Sequence, residues 1–169
     1  DAPYSNDRSL IPSVGSAEHR AVARQAVNES MVLLKNDGML PLSKDLSQIV
    51  VAGRGAYNLG MQCGGWSISW QGNMGSTTLG TTILEGVRDI VSSETEVILS
   101  ADGSVTSTTD AVIVVVGEAP YAEWHGDRSD LSLSEEDLAV LQKVQESGKP
   151  MVVVLLSGRP MIITDVLEN

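Results

Sequence analysis

Twelve residues hold most of the chemistry this chain can offer: Gly117-Glu118-Ala119-Pro120-Tyr121-Ala122-Glu123-Trp124-His125-Gly126-Asp127-Arg128. Glu118, Glu123 and Asp127, with Asp130 just beyond, are carboxylates beside two aromatics, an imidazole and a guanidinium. Glycoside hydrolysis is one reaction that acids of this kind perform. One carboxyl protonates the leaving oxygen, and a second attacks or activates water. A Glu on a rim loop suits the proton donor's task when its neighbours bring its pKa toward the working pH. The plain alternative is a set of solvated surface acids. Other chemistries find less support. The two histidines, His19 and His125, lie far apart, there is no His-Glu-x-x-His, and Cys63 stands alone, so neither a metal site nor an internal disulfide is indicated. No Gly-x-Ser-x-Gly offers a serine nucleophile.

A second unusual stretch runs from Gly60 to Gly80. It contains six of the chain's 16 glycines and two of its three tryptophans, Trp66 and Trp70. A glycine-rich loop carrying indoles can present a stacking platform to sugar rings. The same tryptophans can instead plug the top of the core.

These stretches need elements to hold them. Ala111–Val116 is an unbroken β-branched run, the pattern of a strand buried on both faces at the centre of a parallel sheet. Gln48–Gly53, Thr95–Leu99 and Met151–Leu156 read as further strands, the first and last as core strands. Helical spacing covers Ala17 to Lys35, capped by Ser16 and stopped by Asn36-Asp37-Gly38. It recurs over Thr81–Val91, and again from Ser134 to Gly148, with acids in the first turn of the last helix. Ala101 to Thr109, rich in Ser and Thr, reads as a surface loop. Arg54-Gly55 after the first strand lacks the rest of a dinucleotide fingerprint, since Asn58 stands where the third glycine belongs. A tight turn at the sheet edge is the simpler use. Strands alternating with helices predict an α/β fold, a three-layer α/β/α sandwich on a mainly parallel sheet. Both 117–128 and the turn Ser157-Gly158-Arg159-Pro160 then fall on the rim at the strands' carboxyl ends, where ligands bind.

At 169 residues the chain has the length of one domain with a real core. Its 22 acids against 11 bases give a net charge of -11, which argues against nucleic acid as a partner and accommodates a neutral ligand such as a sugar. Its longest apolar runs fall far short of the ~20 residues that span a bilayer. The first residues, Asp1-Ala2-Pro3-Tyr4, show no signal pattern and no Met, so a targeting segment could lie outside them.

Four blocks, in order, resemble the C-terminal (second) domain of glycoside hydrolase family 3, in its β-glucosidase and exo-1,3/1,4-β-glucanase branch. They are His19-Arg20-x-x-Ala23-Arg24-x-Ala26-Val27 with Met31–Asn36; Cys63-Gly64-Gly65-Trp66-Ser67-Ile68-Ser69-Trp70-Gln71-Gly72 with Gly80-Thr81-Thr82-Ile83-Leu84; Val116-Gly117-Glu118-x-Pro120-Tyr121-x-Glu123-x-x-Gly126-Asp127; and Leu156–Pro160. The resemblance implies that Glu123 is the general acid/base, that Trp70 stacks on the sugar at the leaving-group side, and that Trp66 supports the loop or the sugar. It leaves Glu118 a structural role and has Asp127 and Arg128 fix the loop. It implies a flavodoxin-like sandwich that is incomplete at its C-terminus. Residues 1–15 would be an arm from a preceding (β/α)8 barrel, and 16–169 the truncated second domain. The barrel would carry the Asp nucleophile, so the chain alone would be inactive. The expected substrate is a β-glucan or β-glucoside, the expected location secreted or periplasmic, and no cofactor is implied. Two other readings stay open: a non-catalytic carbohydrate-binding domain using Trp66 and Trp70, and a flavodoxin-like nucleotide or regulatory domain.

Overall fold

The structure, a computed structural model, describes residues 8–168. The chain divides into two compact units, Asp1–Asp37 and Gly38–Asn169. This boundary lies downstream of residue 15, where the sequence reading ends its arm.

In the first unit a 3-10 turn, Ile11–Ser13, precedes helix α1, Ala17–Ser30. Ser16 caps α1 as expected, its hydroxyl accepting from His19 N at 3.3 Å. The helix stops five residues earlier than its spacing suggests, and Met31 is already extended at φ -69°, ψ 137°. Two local causes are visible. The Ser30 hydroxyl donates to the Val27 carbonyl at 3.0 Å, engaging a group of the last turn. Met31 to Leu34 are consecutive apolar residues, which have no helical period to satisfy. The Asn36-Asp37-Gly38 stop therefore lies beyond the end of a helix it does not cap.

The second unit is built on four strands: β1 (Gln48–Ala52), β2 (Glu96–Ser100), β3 (Ala111–Gly117) and β4 (Met151–Leu156). All neighbours pair in parallel, in the order β2-β1-β3-β4. Strand alternation sends Val50, Ala52, Val112, Val114 and Val116 to one face, where they pack with Val140, Leu141 and Val144 of helix α4 (Glu135–Glu146). Ile49, Val51 and Val115 face the other way, against Ala56 and Leu84 of helix α3 (Ile83–Ile90). Two cores on opposite faces of one sheet make the expected α/β/α sandwich. Both helix starts follow their caps: Thr82 and Glu85 form a reciprocal capping box, and Ser134 accepts from Asp137 N.

β1 is an inner strand, and the Arg54 turn follows its carboxyl end. Two sequence expectations need correction. β4, read as a core strand, is an edge strand among the described residues and only partly buried. An apolar run does not by itself tell an interior strand from an edge one. The 101–109 loop is not wholly superficial, since Thr109 is buried and donates to the buried Gln48 side chain at 2.8 Å.

A short helix falls where the sequence suggested only a loop, and another begins within 161–167, which the sequence shows as the start of an unfinished element. Leu59–Cys63 forms a short helix, α2, and a last helix, α5, spans Thr164–Glu168. No helix among the described residues is long and apolar enough to cross a membrane.

Candidate active site

β3 ends at Gly117, whose backbone (φ 140°) lies so close to β4 that an added Cβ would sit 1.9 Å from the Leu156 carbonyl oxygen. Glu118 N then donates to that same oxygen at 2.9 Å. The parallel pairing of β3 with β4 thus brings the 117–128 loop and the 157–160 turn to one rim, as the sequence suggested.

Glu118 locks them together. Its side chain is 8% exposed, with Arg128 and Arg159 each at 3.1 Å. It also accepts from the Tyr121 hydroxyl at 3.2 Å and the Ser157 hydroxyl at 3.1 Å. The Arg159 guanidinium lies 4.2 Å over the Tyr121 ring, adding a cation–π contact. Four donors from both segments converge on one carboxylate, which is the environment of an anchor. An ion pair between the partly exposed Arg54 and the buried Asp137 supports the rim from below. Arg54 donates to both oxygens of Asp137, at 3.0 and 2.9 Å, and to the Gly117 carbonyl.

Glu123 is held differently. It opens a 3-10 turn, Glu123–Gly126, with its own backbone at φ +53°, a left-handed conformation that a non-glycine residue seldom adopts. Its side chain is exposed, and its carboxylate has no hydrogen-bond or ion-pair partner among the described residues. Gly126 fits beneath the Tyr121 ring, where a Cβ would fall 2.1 Å from Cδ2. Asp127 N closes the turn on Trp124 O at 3.0 Å, while Asp127 itself is exposed. Arg128 also donates to Ser132 O at 3.3 Å. Asp130 accepts from Ser132 N at 2.9 Å, a bond that holds its carboxyl below the usual range and commits it to its own loop.

The glycine-rich stretch faces this turn. Asn58, at the position of the missing third glycine, caps α2 through Met61 N (2.9 Å) and holds the far side of the loop through Gly75 N (2.8 Å). Trp66 and Ile68 take left-handed backbones, and Trp66 N closes the loop on Trp70 O at 2.9 Å. Trp66 is 68% exposed, Trp70 39% and Trp124 63%. No indole belongs to either core, which removes the core-plug alternative. Trp70 is the hub of an aromatic group, with ring centroids 6.4 Å from Trp66, 5.4 Å from Trp124 and 5.3 Å from His125. Trp66, Glu118, Glu123 and Ser157 are among the residues lining a cleft of about 510 Å³ between the two loops. Among the described residues, no three His, Cys, Asp or Glu side chains group as a metal site would require.

Gln71 escaped the sequence reading. Its amide holds the Ala122 peptide from both sides, and nothing in its local sequence signals this. Asn58, by contrast, carried the signal of a helix cap, an Asn followed by a helix-compatible segment.

The site is thus a parallel α/β/α sandwich that carries an exposed Glu and an aromatic cluster on its carboxyl rim. Residues 31–169 match the family model of the glycosyl hydrolase family 3 C-terminal domain, and the chain belongs to that family. It is similar to an exo-1,3/1,4-β-glucanase, ExoP, from a Pseudoalteromonas species, with 44% identity and a TM-score of 0.83 over 90% of this chain and 20% of that one. The lysosomal β-glucosidase of Dictyostelium discoideum is 31% identical over 95% of this chain and 22% of its own length. A β-xylosidase of Formosa agariphila is 28% identical over 92% and 24% respectively. The chain thus spans between a fifth and a quarter of the length of these relatives.

Proposed function

We propose that this domain supplies the acid/base carboxylate of a retaining exo-acting β-glucosidase or β-glucanase, and that Glu123 is that carboxylate. The observation that carries the reading is the contrast between two glutamates five residues apart. Glu118 is enclosed by two arginines and two hydroxyls, whereas Glu123 stands exposed beside the aromatic group. An acid/base group must meet the glycosidic oxygen, donate its proton to it, and then take one from the attacking water. Trp70, with Trp66 beside it, would stack on the sugar at the leaving-group side. Arg128 and Asp127 would keep the loop in place around Glu123.

A retaining mechanism places its nucleophile about 5–5.5 Å from the acid/base carboxylate. We assign that nucleophile to a (β/α)8 barrel preceding this domain in the complete enzyme, as the resemblance to the family implies, and expect the isolated domain to be inactive. The substrate class is a β-glucan or β-linked oligosaccharide, from which glucose leaves at the non-reducing end.

Replacing Glu123 tests the reading. In the complete enzyme Glu123→Gln should lower turnover of β-linked disaccharides about 10²- to 10⁴-fold. Aryl glucosides with activated leaving groups, which need no proton at departure, should still glycosylate the enzyme, and inhibitor binding should be retained. The exposure of Trp66 and Trp70 also suits a sugar-binding module without proton transfer. Parallel loss of binding and turnover in that variant would favour the module.

A further inference from the structure

Resting on the assignment of Glu123 above, we infer that Gln71 is a positioning residue for the acid/base group, coupling the tryptophan loop to the acid loop through the Ala122 peptide. The Gln71 side-chain oxygen accepts from Ala122 N at 3.0 Å, and its amide nitrogen donates to Ala122 O at 3.2 Å. Both polar groups of the residue preceding Glu123 are thus held by one side chain, 51 positions away in sequence. Ala122 itself is buried, so water is a poor substitute for these bonds.

The placement matters because Glu123 sits at φ +53°. A left-handed non-glycine backbone persists only where its surroundings over-determine it. Here the constraint comes from two sides. The 3-10 turn follows Glu123, closed by Asp127 N on Trp124 O, and the Gln71 clamp precedes it. Close packing of the two loops makes the clamp stiff. A Cβ on Gly65 would lie 1.9 Å from Tyr121 O, and one on Gly72 2.7 Å from Pro120 Cβ. Gln71 is also the chain neighbour of Trp70, the hub of the aromatic group. A ring stacked on Trp70 and the carboxylate of Glu123 therefore share one rigid connection, which sets the donor's reach relative to the bound sugar.

The test is Gln71→Met in the complete enzyme, a near-isosteric change that removes both hydrogen bonds. It is compared with Glu123→Gln on a β-linked disaccharide and on a dinitrophenyl β-glucoside. A displaced acid predicts that Q71M lowers kcat/KM on the disaccharide about 10- to 100-fold while leaving kcat/KM on the activated substrate, which reports glycosylation alone, nearly unchanged. A merely structural role predicts an equal loss of kcat/KM on both substrates together with a lower thermal midpoint, and that result overturns the inference. So does wild-type behaviour of Q71M on both substrates while Glu123→Gln shows the leaving-group dependence of a missing acid. If Glu123→Gln itself lacks that dependence, the assignment of Glu123 fails and the inference falls with it. Should Q71M not fold, Gln71→Glu gives the same comparison, since it keeps the acceptor for Ala122 N and replaces only the donor.

Discussion

Asp137 shows how a single residue changes meaning between sequence and structure. Its position, with Glu135 and Glu136 in the first turn of α4, reads as an acid favourably placed against the helix dipole. In the fold it is 1% exposed, paired with Arg54, and accepts from Gly117 N at 3.3 Å. The hydrogen bond to Asp137 pushes the Arg54 guanidinium further up from an already high value, so Arg54 stays cationic at any working pH. Removing one partner strands a charge under the rim. Asp137→Ala should cost about 1–3 kcal/mol in urea unfolding, since Arg54 is partly exposed, and replacing Arg54 and Asp137 together by apolar residues should cost less than the single change. Glu123 and Trp70 were legible as candidates from their residue types. The bonds that distinguish Glu123 from Glu118 were not, because they come from Arg159 and Ser157 on another strand end.

Among elements, helix starts were the most legible features. Capping is a contact over three residues, so Ser16 and Ser134 announce their helices locally, whereas the Thr82 cap emerged only in the structure. Thr82→Ala breaks the reciprocal box with Glu85 and should lower stability by about 1 kcal/mol, read by chemical denaturation. The tryptophan loop is the opposite case. Its shape depends on Gly65 lying against the Tyr121 carbonyl, an approach that no pattern within 60–80 reveals. Gly65→Ala should therefore separate the two loops. The expected result is a changed near-ultraviolet circular dichroism signal from the Trp66–Trp70 pair, with the far-ultraviolet signal of the sandwich retained.

For the molecule as a whole, acid should be the destabilising direction. Asp102, in the turn after β2, is bonded to Lys143 of α4 at 2.6 Å, which holds its carboxyl far below the ordinary aspartate range. Glu85 is lowered as well, chiefly by the Thr82 hydroxyl. A carboxylate with a depressed folded-state pKa stabilises fully above its unfolded value and loses that contribution as pH falls through the folded one. The thermal midpoint should hold near neutral pH and fall progressively below about pH 4. Lys143→Ala should make that acid limb shallower, because Asp102 then titrates closer to its unfolded value.

The sequence by itself determined the sandwich and the family. Unbroken β-branched runs favour buried strands without saying which is interior, and alternation with helices at this spacing points to a parallel sheet. It also singled out the rim loop and its glutamates, since ligand sites in such sheets gather at the strands' carboxyl ends. Tertiary structure decided what those residues are to one another. Strand order placed β4 last among the described residues, and the meeting of β3 with β4 surrounded Glu118 with cations while leaving Glu123 exposed. The fold also brought Gln71 to Ala122 across 51 residues. Hydrophobic periodicity and capping are local and survive in one dimension. Hydrogen bonds between distant strand ends depend on register and on glycine-permitted close approaches, which exist only once the chain has folded.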